Sequence, residues 1–449
     1  MSDTLFPVPP ADLRGSPAPA PPVPRLERPN RAQLELRSVD LEGLLPADHR
    51  ARLVWEFVEG LDLSPLYAAV RALEGGAGRP AIDPAILIAL WLYATLEGVG
   101  SARALDRLCE QHDAYRWIAG GVSVNYHTLA DFRVGHADFL DTLLTRSVAT
   151  LMAEGLVTLT RVAQDGVRVR ASAGAASFRR RERLQQCLDE AAAHVRVLRQ
   201  ELEEDPAATS RRQAAARTRA AQERVARVQK ALEQLADVEA QHQRAHDSAA
   251  HRRTARASTT DPEARVMKMA DGGFRPAFNP QLAAATGSQI IVGVLATNVG
   301  SDLGHLPPMV EQLRRRYGRA PEEMLADGNF PGHEAIETLT AGGCVVYAPV
   351  PQPRASKRDP AAPLRDPYAP LPEDRPAVAA WRQRMGTDTA KTIYKLRAAT
   401  AECINAIARN RGLQQFRVRG LDKVRAILLW FAVAHNLIRA VELRRLAAA

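Results

Sequence analysis

Residues 162–172 read VAQDGVRVRAS, with Asp165 and Gly166 set between two apolar stretches. Val157, Leu159 and Val162 precede the acid; Val167, Val169 and Ala171 alternate with Arg168 and Arg170 after it. Period-two alternation around an Asp-Gly pair predicts a strand, a tight turn and more strand. The stretch MLADGNF at 324–330 repeats the pattern, with Glu323 to Asp327 read as a short strand ending in an acid. Acids at strand ends lie on the rim of a sheet, where open α/β folds place their ligands. The expected fold class is therefore α/β.

Working outward, residues 50–150 read as all-helical. Asp83-Pro84 is a capping side chain followed by proline at the first helical position, and Asn125 precedes a helix that starts near His127. The Pro84–Leu96 helix is apolar nearly all round, which predicts burial. Short helices joined by glycine turns are compatible with a helix-turn-helix module, in which His127 to Arg133 would read DNA, and equally with plain bundle packing. From Phe178 to Glu204, and again from Ala214 to Leu235, apolar residues follow four-three spacing on either side of Asp205-Pro206. That predicts an antiparallel helical hairpin. Strands return at Phe274–Ala284 and Gln289–Asn298, read as a hairpin. A helix at Leu306–Tyr317, a helix at Gly332–Thr340, a strand at Cys344–Ala348, a proline-rich loop to Pro376 and helices over 387–410 and 421–445 follow.

The chain has 449 residues, 46% hydrophobic and 25% charged, which excludes a wholly disordered or fibrous protein and allows two or three domains. Nine prolines in residues 7–31 predict a disordered leader. The N-terminus lacks a basic segment ahead of an apolar stretch, so no secretory signal is expected. No apolar run is expected to span a bilayer; the longest candidate, Ile82 to Leu96, is broken by Asp83 and Pro84. Cys109, Cys187, Cys344 and Cys403 are widely spaced, which argues against a disulfide framework or a zinc site and suits a reducing cytoplasm. The net charge is +9, a fair match to a polyanion such as nucleic acid, with no membrane partner expected. Arg supplies all but six of the 60 basic residues, which a GC-rich genome would also produce.

Asp165 and Asp327 at strand ends, with Glu402 inside a helical segment, form a set of hard-oxygen ligands. Such a set suits Mg²⁺, two of which activate an attacking oxygen and stabilise a leaving one in phosphoryl transfer. In an unbroken helix, Lys391, Lys395, Glu402 and Arg409 fall within about 40° of one face, where cations beside an acid would hold metal and DNA phosphates together. Ordinary surface ion pairing would give the same stripe.

VAQDGVRVRAS, MLADGNF and YKLRAATAE (394–402), with STTDPEARVMK (258–268), AYRWIAG (114–120) and AVAHNLIR (432–439), resemble bacterial insertion-sequence transposases of the DDE superfamily. The resemblance covers residues 45–440 and implies an RNase H-like mixed-sheet core. It implies Asp165, Asp327 and Glu402 as the catalytic, metal-binding triad, holding two Mg²⁺ ions for which Mn²⁺ can substitute. Lys391, Tyr394, Lys395, Arg397 and Arg409 are DNA-binding candidates, beside His127 and Arg133 from the helical region. The implied organisation is a leader (1–40), a helical N-terminal DNA-binding domain (41–150), a catalytic domain (151–177 and 251–449) and an inserted antiparallel coiled-coil hairpin (178–250). The implied activity is cleavage of the element's ends and strand transfer into target DNA. The partners would be double-stranded DNA, as terminal inverted repeats and target, and a second copy of the chain in a DNA-bound homodimer. The implied setting is a bacterial cytoplasm, at the nucleoid. A domesticated or inactive transposase that only binds DNA is the alternative.

One spacing departs from the family pattern. The common signature has tyrosine, two residues, arginine, three residues, glutamate, six residues, lysine. Tyr394 and Arg397 fit, but four residues separate Arg397 from Glu402, and Arg409 takes the last position. An unbroken helix puts Arg397 about 140° from Glu402. Either the helix holds a π-bulge, or Arg397 serves packing or a different phosphate.

Overall fold

Among the described residues seven α-helices precede the first strand: α1 (Arg50–Glu59), α2 (Ser64–Tyr67), α3 (Pro84–Leu96), α4 (Ala102–Gln111), α5 (Asp113–Ala119), α6 (Tyr126–Gly135) and α7 (Ala137–Ala153). The computed structural model describes residues 40–72, 80–204, 210–245, 255–353 and 365–449. The proline-rich leader, apart from Asp40, and the Asp205-Pro206 break lie outside them. The helix starts follow local chemistry. The side chains of Asp83, Ser101 and Asn125 accept from the backbone N–H of Ala85, Ala104 and Thr128, caps of about 1 kcal/mol each. Helix α3 is buried on all sides, as its composition predicts.

The central sheet has five strands: β1 (Arg161–Gly166), β7 (Gln281–Ala285), β8 (Ile291–Leu295), β9 (Glu323–Leu325) and β10 (Val345–Tyr347). Their order is β10-β9-β1-β7-β8, with β1 in the middle. Strands β1, β7 and β8 pair antiparallel, while β9 runs parallel to both β1 and β10. The fold is mixed α/β. Because β1 and β9 are parallel neighbours in register from Val162↔Met324 to Ala163↔Leu325, the acids that follow emerge at the same end of the sheet.

Two strand readings change. Asp165 and Gly166 are the last residues of β1, and no hairpin returns to the same sheet. Instead β2 (Val169–Arg170) joins β6 (Phe274–Phe278) and β5 (Arg265–Lys268) in a second sheet. The Phe274–Ala284 run is likewise two strands, β6 and β7, broken at Asn279-Pro280. Proline has no N–H for a ladder, and the chain passes there from one sheet to the other.

The helical pair after β2 is α8 (Arg181–Glu204) and α9 (Arg211–Ala245). It starts three residues later than expected because β3 (Phe178–Arg179) pairs with β4 (Ala257–Ser258). Leu184 packs with Ala231, Leu235 and Val238 in a small core of its own. Helix α10 (Leu306–Tyr317) packs on β8, where the Gln312 side chain exchanges two hydrogen bonds of 2.9 Å with the Val294 backbone, and α11 (His333–Ala341) packs on β10. Helix α12 (Pro376–Gly386) was not anticipated; it lies at the end of the proline-rich loop, with Pro376 in its first turn.

The chain ends in α15 (Leu421–Ala448), the longest apolar helix and the one element among the described residues apolar and long enough to cross a bilayer. Of its most apolar window, 72% is buried inside the protein, which marks a core helix and replaces the expectation that Ile82–Leu96 is the longest apolar run. Its Asn436 exchanges two hydrogen bonds of 2.8 Å with the backbone of Ile291, closing part of the β8 edge. On another face Trp430 donates to the Arg133 carbonyl at 2.9 Å. One apolar core thus runs from the N-terminal helices through α15 to the central sheet.

Candidate active site

Asp165 closes the central strand, and its Oδ1 accepts from the N–H of Gly166 at 2.9 Å. Asp327 follows β9, and its Oδ1 accepts from the N–H of Gly328 at 2.6 Å. The same Asp-Gly chemistry thus orients both carboxylates at strand ends. Space explains the first glycine. A Cβ on Gly166 would lie 2.5 Å from Asp302 Oδ1, 2.6 Å from Gln281 Nε2 and 2.9 Å from Asn279 Oδ1.

Glu402 reaches the rim from a helix that is not regular. Helix α13 (Asp388–Arg397) passes into a π-helical segment, Ala398–Glu402, and continues as α14 (Cys403–Asn410). The π turn takes in one residue more than an α turn and sets everything after it back by about 100°. Arg397 and Glu402 then share a face, about 40° apart instead of 140°. The bond confirms it: Arg397 Nη1 donates to Glu402 Oε1 at 2.9 Å. Its Nη2 lies 3.4 Å from Asp165 Oδ2. The π-bulge, one of the two readings open from spacing, is the one realised.

The same bulge divides the stripe computed for an unbroken helix. Arg409 stays with Glu402, because both follow the bulge. Lys391 and Lys395 precede it and are exposed, with Lys391 Nζ 3.1 Å from Asp388 Oδ1. Tyr394 is half-buried beside the acids. His127 is exposed on α6, whereas Arg133 is 9% exposed, stacked over the Trp91 ring at 4.4 Å and donating to the Gly100 carbonyl at 2.6 Å. These two do not form one exposed reading face.

Electrostatics ties the group together. Burial raises the Asp165 carboxyl above the usual range, Arg397 opposes the shift, and the nearby charges of Asp302 and Asp327 add to it. The Tyr394 phenol is raised by burial first; Arg397 acts against this, and Asp327, Asp165 and Glu402 reinforce it. Burial lowers the Arg397 guanidinium, but Asp165, Tyr394 and Asp327 outweigh it and leave it raised. Among the described residues no three His, Cys, Asp or Glu side chains stand as a ready metal cluster. The guanidinium of Arg397 occupies the space between Asp165 and Glu402.

Three participants escaped sequence reading. Asn405 Nδ2 donates to Asp165 Oδ2 at 3.0 Å, and its own Oδ1 is buried without a partner. Asp302 accepts from Asn279 at 2.8 Å and Gln281 at 2.9 Å, and Gln281 in turn accepts from Gln164 at 3.2 Å. Gln289, with φ of 58°, donates from its side chain to the Ala399 carbonyl inside the π turn at 2.8 Å. An Asn on an apolar helix face, three residues after Glu402, was the one available signal for Asn405.

Two family models match parts of the chain. Residues 39–134 match the family described as transposase domain (DUF772), and residues 372–441 match the transposase DDE domain. The second match spans Arg397, Glu402 and Arg409. No curated protein and no solved structure matches the chain.

Proposed function

Since the chain belongs to the DDE-type insertion-sequence transposases, enzymes that cleave DNA and transfer its strands, we propose that Asp165, Asp327 and Glu402 are its catalytic centre. The observation that carries this reading is the shared guanidinium. Arg397 touches Asp165 on the central strand and Glu402 on the bulged helix, so the two acids face each other across one side chain. Asp327 leaves the parallel neighbour of that strand.

We propose an RNase H-like core for the sheet. Its strands lie in the order third, second, first, fourth, fifth, the first three antiparallel and the last two parallel, which supports that reading. The functional segments would be a DNA-binding region at 41–150, a catalytic region at 151–177 and 251–449, and a coiled-coil insertion at 178–250. The small separate core of α8 and α9 favours the last assignment.

The family uses a divalent metal, and the residues here fit one. The donors are carboxylate oxygens, and the unpartnered Asn405 Oδ1 lies beside them. We propose two Mg²⁺ ions, with Mn²⁺ as substitute, held by Asp165, Asp327 and Glu402. When bound they supply Lewis-acid stabilisation of the attacking and leaving oxygens. Arg397 balances the paired carboxylates, and Asn405 fixes the orientation of Asp165. Lys391, Lys395 and Arg409 contact phosphates, with Tyr394 beside them. Water hydrolyses a phosphodiester at the element's end, freeing a 3′-OH. That hydroxyl attacks a target phosphodiester, forming one P–O bond as another breaks, with positioning as the protein's main contribution. The substrates would be terminal inverted repeats and target DNA, engaged by a homodimer.

The test is Asp327→Asn, which keeps side-chain shape and removes a charge. Gel shift on the terminal repeat should be unchanged, and nicking with Mg²⁺ should be abolished. A mutant that nicks at the wild-type rate removes Asp327 from the centre. A wild type that binds but never nicks, with Mg²⁺ or Mn²⁺, is a DNA-binding protein only.

A further inference from the structure

A cleft of about 530 Å³ lies between the end of α3, the start of α4 and the segment that follows α14. Five arginines line it: Arg133, Arg170, Arg409, Arg411 and Arg417. The acid on its wall, Glu97, already pairs with Arg50 at 3.0 Å. None of the five pairs with a carboxylate among the described residues. Two point to a missing partner. Arg133 is nine-tenths buried with its Nε unbonded, and Arg411 has a buried Nη1 with no partner. Burial lowers the guanidinium of Arg133 to about 10; it also lowers that of Arg411, where Arg50 acts in the same direction and Glu97 against it. A buried, unpaired charge is costly, and an anion would remove that cost.

The cleft is built, not an accident of loose side chains. Gly98 and Gly412 face each other at its edge with φ of 71° and 86°. A Cβ on Gly412 would stand 3.0 Å from the Gly98 carbonyl oxygen. Two loops therefore meet backbone to backbone, one from the N-terminal helices and one from the segment downstream of Glu402.

Size selects the ligand. A cube of this volume has edges of about 8 Å, and a B-DNA duplex, broader than its own roughly 12 Å major groove, does not fit inside. An unpaired strand does. Arg409 lies seven residues beyond Glu402, about 10 Å along the helix axis. At about 3.4 Å per nucleotide that is three steps of a strand leaving the catalytic acids. We propose that this cleft binds the phosphates of an unpaired DNA end, two or three nucleotides from the bond that is cut. The proposal rests on the catalytic reading above and deepens it.

The test uses the full chain. Affinity for a fluorescein-labelled eight-nucleotide oligothymidylate and for a 20-base-pair duplex is measured by fluorescence anisotropy at 50, 100 and 200 mM NaCl. For Arg411→Gln/Arg417→Gln, single-strand affinity should fall at least tenfold, with a salt slope shallower by about 1.4. Duplex affinity should change less than twofold. Arg170→Gln, at an exposed side chain, provides a second variant and should fall at least threefold. The control Arg314→Gln/Arg315→Gln, on α10, should leave single-strand affinity unchanged. Wild-type single-strand affinity in both cleft variants overturns the proposal. Equal losses for single strand and duplex also overturn it, because they describe a general duplex surface. Nicking by the wild type, measured on the same preparation, separates failure of the cleft from failure of the catalytic reading.

Discussion

Deleting Ala399 should leave this enzyme active, although it removes a residue three positions from a proposed catalytic glutamate. The π turn absorbs one residue more than an α turn. Without Ala399 the segment can close as regular α-helix, with Arg397 and Glu402 still about 40° apart at four-residue spacing. Ala399 is exposed, so no cavity is left. The loss is the Gln289 bond to the Ala399 carbonyl, about 1 kcal/mol for a typical hydrogen bond. Inserting one alanine after Ala399 has the opposite consequence. Glu402 turns a further 100° or so, and on a helix about 11 Å across with its side chains the carboxylate moves by about 8 Å. Misplacement by 1 Å can already cost a hundredfold in rate, so the insertion should lose at least that much. The assay is nicking of a terminal-repeat duplex with Mg²⁺, with circular dichroism and thermal unfolding on each variant. If the deletion inactivates as completely as the insertion while both stay folded, the bulge is needed for its own shape, and the register argument is wrong.

Gly166→Ala should lose activity and cost about 1–3 kcal/mol in thermal unfolding, since its Cβ would meet Asp302 and Gln281 within 2.6 Å; wild-type stability would mean the polar cluster yields freely. Asp261 is fully buried, and burial raises its carboxyl from 3.8 to about 6. For an acid with a raised folded pKa, the contribution to stability is complete below 3.8 and is lost as pH rises through about 6. Asp261→Asn should therefore gain stability relative to wild type between pH 4 and pH 8, by on the order of 3 kcal/mol. The check is thermal unfolding of both proteins at the two pH values, and a pH-independent difference would refute it.

What the sequence disclosed depended on how local the cause was. The two Asp-Gly strand ends, the capped helices before Ala153 and the helix at Leu306 were legible because period, cap and turn residues sit within a few positions of each other. The run from Phe274 has the period of one strand, and Pro280 within it marks the crossing between sheets. Helix α12 hid behind prolines that, at Pro376, start a helix. STTDPEARVMK was recognisable as a motif, yet its work is at long range. Asp261 Oδ1 accepts from the N–H of Gly420 at 3.1 Å, and Glu263 Oε2 from that of Leu421 at 3.0 Å. The motif therefore caps the C-terminal helix from more than 150 residues away, where no local spacing reveals it. Around Glu402 the position is intermediate. The count between Arg397 and Glu402 exposed a mismatch of one residue, and helical geometry reduced it to two possibilities. The structure answers which: Arg397 bonds Glu402 across the bulge, and Gln289, on the turn between β7 and β8, bonds the Ala399 carbonyl within it. The extra residue between Arg397 and Glu402 opens the π turn, and a contact across 110 residues helps to hold it.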